Sequence, residues 1–144
     1  MTILATIGYQ SATQADVIGR LRAAGVETVI DVRAIAASRR PGFSKSVLAA
    51  SLAEAGVDYV HLRALGTPKA GRDAARAGRV GEMRALFADH LEDPEAQAQL
   101  AQAREIASRT RAALLCFEAR ACDCHRAVIA ERFAAEEGWD IVDL

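Results

Sequence analysis

The chain has 144 residues, 51% of them hydrophobic and 26% charged, with a formal net charge of -1. This length suits one domain with a core of its own. The composition excludes a disordered chain, the near-neutral charge excludes a general pull toward nucleic acid, and no apolar run nears the ~20 residues of a membrane span. Three cysteines, with Cys122 and Cys124 close together, make a poor disulfide framework and point to a reducing, cytoplasmic setting. The opening MTILATIGYQ lacks the basic-then-apolar pattern of a signal peptide and reads as a first strand.

Strand-like and helix-like segments then alternate. Ile3 to Gly8 is a short apolar run ended by glycine. Thr13 to Ala24 places Val17, Ile18 and Leu21 on one helical stripe, with Gly25 at its end. Thr28 to Arg33 (TVIDVR) is β-branched, with charge only at its end. Ser44 to Ala55 is a helix carrying Val47, Leu48 and Leu52, followed by Gly56. Val57 to Leu62 is a third strand. Two helices follow, Val80 to Leu91 and Pro94 to Ala107, the second with Asp93 as N-cap and proline at its first position. Ala112 to Phe117 is a continuous apolar strand, Cys124 to Glu137 a helix, and Trp139 to Val142 the last strand. Strands apolar on both faces belong to a sheet covered on both sides. The order β-α-β-α-β-α-α-β-α-β predicts a three-layer α/β domain with a mostly parallel sheet of about five strands. Strand order is not readable from the pattern.

Two connections stand out. Ala34 to Phe43 is basic and contains a Pro-Gly turn signal; Ala64 to Gly78 is long, basic and rich in Gly and Ala, and reads as a loop. Both follow strand ends, where open parallel sheets bind ligands. That edge receives Gly8 and Ser11 from the first strand, Asp31 and Arg33 from the second, and Ser38, Arg39 and Lys45 beyond it. The third strand brings His61 and Arg63, then Lys69 and Arg72, and the fourth brings Cys116 and Glu118, then Cys124, His125 and Arg126. Cationic groups gathered at one edge of a near-neutral chain suit an anion: a phosphate, a carboxylate or a stretch of nucleic-acid backbone. Against this stands the plainer reading of solvated loop charges, and for Asp31 and Arg33 an ion pair that orders the loop, with Arg39 or Arg126 as further partners.

The segment LLCFEARACDCHRAVIAERF carries the most chemistry. Cys116 and Glu118, two apart, share a strand face. With Asp123 as N-cap, Cys124, His125 and Arg126 fall in the first helical turn, where the helix dipole and Arg126 favour a thiolate at Cys124. His125 is a candidate proton carrier and Arg126 a candidate anion contact. The alternative for Cys124 is a small, inert core residue. The soft donors do not follow a paired zinc spacing, and Cys-x-Cys with an adjacent His is not expected to converge on one tetrahedron. No metal and no other cofactor is therefore expected.

Four pieces, TIGYQS, IDVR with SRRPGFSK, DYVHLRALG and LLCFEARACDCHRAVIA, resemble in order the bacterial family catalogued as domain of unknown function 488. The resemblance implies roles for Gly8, Ser11, Asp31, Arg33, Ser38, Arg39, Pro41, Gly42, Phe43, His61, Leu65, Gly66, Cys116, Glu118, Cys124, His125 and Arg126, but no established reaction. Tyr9 and Gln10 depart from the family's usual His-Ser at the first strand end, and Cys122 stands where the family has proline or a polar residue. IDVR after a helix, and a strand ending in Cys before a basic helix start, are also weakly similar to the rhodanese fold, which does not establish function.

The leading expectation is an enzyme acting on an anionic small molecule or nucleotide. Cys124 or Cys116 would serve as nucleophile or sulfur carrier, Glu118 or His125 would move protons with Asp31 held nearby, and the arginines would hold the anion. The alternatives are a non-catalytic nucleotide or nucleic-acid binding module on the same edge, and an internal ion-pair network without a ligand. No membrane partner is expected, and oligomeric state is not readable.

Overall fold

The computed structural model describes residues 2–144. Five parallel strands, β1 (Ile3–Gly8), β2 (Thr28–Asp31), β3 (Asp58–His61), β4 (Ala112–Cys116) and β5 (Asp140–Asp143), form one sheet in the order β3-β2-β4-β1-β5. Helices α1 (Gln14–Ala23) and α2 (Lys45–Glu54) cover one face. The opposite face packs against α4 (Val80–His90), α5 (Pro94–Arg109) and α6 (Arg126–Glu137). The α/β sandwich read from the sequence is the fold of the chain. No described helix is long and apolar enough to cross a membrane.

Alternation along the buried strands explains the two cores. On β4, Ala113 and Leu115 point toward α1 and α2, while Ala112, Leu114 and Cys116 point toward α5 and α6. Every side chain of β2 and β4 is buried, as expected for central strands covered on both sides. The edge strands β3 and β5 are largely exposed or half-buried.

Helix ends follow local chemistry. Thr13 and Asp16 form a reciprocal capping box at the start of α1. Asp93 and Pro94 open α5 as their positions in the sequence predict. Two expectations are corrected. Lys69–Arg76, read as loop, is a further helix, α3, packed on α4. It buries little beyond Gly71 and Ala74, so no apolar stripe announces it. The last helix begins at Arg126 with His125 as its cap, because Ala121–Asp123 closes a short 3-10 turn and leaves Cys124 extended.

This topology makes the working edge. The chain leaves β2 toward the α1/α2 face, and it leaves its neighbour β4 toward the α6 face. Adjacent strand ends whose connections part to opposite faces leave a crevice between them. Two close backbone approaches fix its walls. A Cβ on Gly8 would lie 1.7 Å from the Glu118 carbonyl oxygen, and one on Gly66 would lie 2.1 Å from the Ala34 nitrogen. Both contacts are with main chain, which cannot swing aside. Replacing Gly8 by alanine is expected to cost about 3 kcal/mol or more of stability, read from urea unfolding midpoints. An unchanged midpoint would mean that the 117–119 backbone is free to move.

Candidate functional site

The end of β2 is an internally satisfied network. Asp31 is wholly buried, and Arg33 meets it in a fork: Nη2 donates to Oδ2 at 2.7 Å and Nε to Oδ1 at 2.9 Å. The remaining guanidinium nitrogen, Nη1, donates to the Phe43 carbonyl at 2.7 Å and to the Tyr9 hydroxyl at 3.1 Å. The Tyr59 hydroxyl donates to Asp31. Burial opposes the charge on Arg33, but the Asp31 carboxylate outweighs it and holds the guanidinium more firmly protonated than usual. Burial, the bond to Asp31 and its negative charge push the Tyr59 phenol well up. Arg33 thus pairs with Asp31 itself rather than leaving that role to Arg39 or Arg126, and this face of the sheet holds structure together.

The opposite face carries a different group. Cys116 ends β4, and Cys124 and His125 come from the turn before α6; all three are buried. The Nδ1 atom of His125 lies 3.7 Å from Cys116 Sγ and 3.7 Å from Cys124 Sγ. Its Nε2 lies 2.7 Å from the Val32 carbonyl oxygen. A carbonyl only accepts, so Nε2 carries the proton. The Phe87 ring stands edge-on to the imidazole at 4.9 Å and holds its plane. The donor atoms of Cys116, Cys124 and His125 all lie within 4.8 Å of one another. Convergence of soft donors, not expected from the spacing, is therefore present. Cys122, the near neighbour of Cys124 in sequence, is exposed and outside the group, and Cys116 from the adjacent strand end takes its place.

These groups perturb one another. Burial works against a charge on Cys124, but the hydrogen bond from Cys116 and the nearby His125 and Arg126 outweigh it and lower its pKa well below the ordinary thiol range. The bond to Cys124, burial, and the charges of Cys124 and Glu118 push Cys116 well up. Burial and the nearby Cys124 raise Glu118 to about 7. For His125 burial opposes protonation, yet the Cys124 sulfur overcomes it and raises the imidazole. Cys124 is thus shifted toward its thiolate and Cys116 away from it. Cys124 gains this character from its neighbours and not from the first turn of a helix, which it precedes.

The loop that carries Glu118 is held by Arg126, a side chain only 1% exposed. Its Nη1 donates to the Glu118 carbonyl at 2.6 Å and its Nη2 to the Ala119 carbonyl at 3.3 Å. Main-chain bonds from Gln10 N to the Phe117 carbonyl, at 2.8 Å, and from Tyr9 N to the Cys116 carbonyl, at 3.3 Å, tie the same loop to the end of β1. The guanidinium of Arg126 is thus committed within the protein.

A cleft of about 1280 Å³ opens over these elements, and Cys116, Glu118 and His125 form part of its lining. Ser38 and Arg39 line it from the loop after β2, and Arg72 and Arg76 from α3. Ser38 accepts from Arg40 N through its hydroxyl at 3.1 Å, and its own N donates to the Ser44 hydroxyl at 3.0 Å. Arg72 donates from Nη1 to the Thr67 carbonyl at 2.8 Å, while its Nε is buried without a partner among the described residues. The remaining residues expected at this edge sit elsewhere. Ser11 is exposed with φ of 63° at the turn after β1, and Lys45 is exposed at the start of α2. His61 meets the Arg33 carbonyl at 2.7 Å. Gly8 acts through the backbone contact described above. Arg72 lines the cleft as expected of this edge. Arg76 escaped emphasis in the sequence because its helix did; the basic character of 64–78 was the available signal.

The family model described as Domain of unknown function DUF488 matches residues 13–133. No curated protein and no solved structure matches the chain.

The Asp31–Arg33 fork makes a stability prediction. Asp31→Ala leaves a buried guanidinium without its counter-charge and is expected to cost about 3–5 kcal/mol in chemical unfolding. Tyr59→Phe, which removes one hydroxyl and leaves the fork intact, is expected to cost about 1 kcal/mol. Equal losses for the two variants would show that the fork is not the dominant bond.

Proposed function

The chain belongs to the DUF488 family, and we propose that it is an enzyme acting on an anionic substrate bound at the carboxyl end of its sheet. The substrate class is a phosphate- or carboxylate-bearing small molecule, nucleotides included. The observation that carries this reading is the meeting of two chemistries in one cleft: guanidinium groups and, from the sulfur–imidazole group, Cys116 and His125 line it together. A surface that only held phosphate would have no need of buried thiols.

The roles follow from position. Arg39 and Arg72 hold the anion, since the guanidinium groups of Arg33 and Arg126 are bound within the protein. Cys116, Cys124 and His125 form the reacting centre. Glu118, beside that centre on the cleft wall, moves the proton. Asp31 contributes indirectly, by fixing Arg33 and the start of the loop that carries Arg39. A reducing cytoplasm is the compartment that suits free thiols of this kind.

Turnover of a panel of nucleotides, phosphate monoesters and carboxylic acids tests the reading, with binding of each compound followed in parallel. For a compound that is turned over, Arg72→Ala is expected to raise KM about tenfold with little change in melting temperature. Cys116→Ser is expected to abolish turnover while leaving anion binding in place. Tight, salt-dependent binding without turnover of any compound would instead favour the binding-module alternative, in which the arginines act alone.

A further inference from the structure

We propose that Cys116, Cys124 and His125 form a metal site for a zinc-class divalent ion, with a fourth coordination position open to the cleft. The proposal goes beyond the reading above and does not depend on it, because the ion would be held whether or not the cleft turns a substrate over.

Geometry carries the argument. A tetrahedral ion with metal–sulfur bonds of about 2.3 Å and metal–nitrogen bonds of about 2.0–2.1 Å sets its sulfur and nitrogen ligands ~3.6 Å apart. Both sulfur–Nδ1 separations here are 3.7 Å. All three donor atoms fit within 4.8 Å of one another, and each belongs to a buried residue. The orientation of His125 fits the same role. Its Nε2–H donates to the Val32 carbonyl at 2.7 Å, which leaves Nδ1 free of a proton in the neutral ring and aimed between the two sulfurs. An outer-sphere carbonyl that fixes tautomer and ring plane in this way is the usual companion of a metal-bound imidazole.

Hydrogen bonding alone satisfies the group less well, since one Nδ1 lone pair faces two sulfur atoms. A divalent ion satisfies all three donors together. Two thiolates and a neutral imidazole also cancel its charge, which suits a buried position. Two thiol protons leave to solvent on binding. Soft sulfur and imidazole donors select zinc-like ions over magnesium or calcium. Cys116 and His125 reach the cleft lining, so the open position faces the space that would hold a substrate or water.

The test uses the full chain, reduced, stripped with chelator and titrated with cobalt(II) and zinc(II). The expected result is one ion per chain, with a sulfur-to-cobalt charge-transfer band and tetrahedral visible bands. Zinc K-edge absorption of the wild-type protein is expected to show two sulfur donors and one imidazole nitrogen, with lighter donors completing the shell. Cys122→Ser is expected to leave these signals unchanged, and Cys116→Ser or Cys124→Ser to weaken uptake at least about a hundredfold. The wild-type spectra decide the matter if a buried substitution unfolds the chain. Folded wild-type protein that takes up neither ion overturns the proposal. So does a spectrum without sulfur donors, or uptake lost in Cys122→Ser and retained in folded Cys116→Ser. None of these readouts requires turnover, so failure of the metal site and failure of the enzymatic reading are separately visible.

Discussion

The fork between Arg33 and Asp31 is the constraint on which the carboxyl edge of the sheet depends. A carboxylate this deeply buried is costly unless it is paired and hydrogen-bonded. Arg33 supplies two parallel bonds to it, Tyr59 a third, and the remaining guanidinium nitrogen reaches Tyr9 and Phe43. One cation therefore joins the ends of β1, β2 and β3 to the loop from 34 to 43. Tyr9 stacks on Phe43 with ring centroids 4.4 Å apart, which closes the apolar side of the same joint. The loop that carries Ser38 and Arg39 accordingly departs from a fixed point.

The second wall is built by similar means on the other side. Arg126 spends its charge on two carbonyls of the loop after β4, and Gly8 lets that loop lie against β1. The two buried arginines thus orient main chain. Of the arginines of the cleft, Arg39 is exposed and Arg72 half-buried. The sheet separates these tasks: the polar joint packs toward α1 and α2, while the sulfurs and His125 face α4 and α6. The bond from His125 to the Val32 carbonyl, between Asp31 and Arg33, links the two.

This division accounts for what the sequence could and could not reveal. TVIDVR and AALLCF are apolar on both faces, so central parallel strands were legible, as were the helices with clear stripes such as the one bearing Val17 and Leu21. Helix α3 was not, because KAGRDAAR packs through Gly71 and Ala74 and presents no large apolar residue. The start of α6 was misplaced because Asp123 is a good capping residue in isolation, while the chain there closes a 3-10 turn first. The pairing of Asp31 with Arg33 was readable from their alternation on one strand. The convergence of Cys116 with Cys124 was not, since it depends on where β4 stops and how the turn from 121 to 123 swings Cys124 back. The spacing between Cys122 and Cys124 drew attention to the wrong neighbour.

On the proposed reading, the arginines and the thiols of the cleft make opposite electrostatic demands, which a bound divalent ion would reconcile. Guanidinium groups in the cleft lining would favour an anion, whereas a neighbouring cysteine shifted toward its thiolate would disfavour one. Arg126, bound to two carbonyls, keeps a positive charge near the group. A divalent ion held by both sulfurs and the neutral imidazole would leave the group neutral. Its open position would supply a Lewis-acidic contact to an oxygen of an anion held by the arginines. The proposed ion would thereby make the arginines and the soft donors compatible as parts of one site.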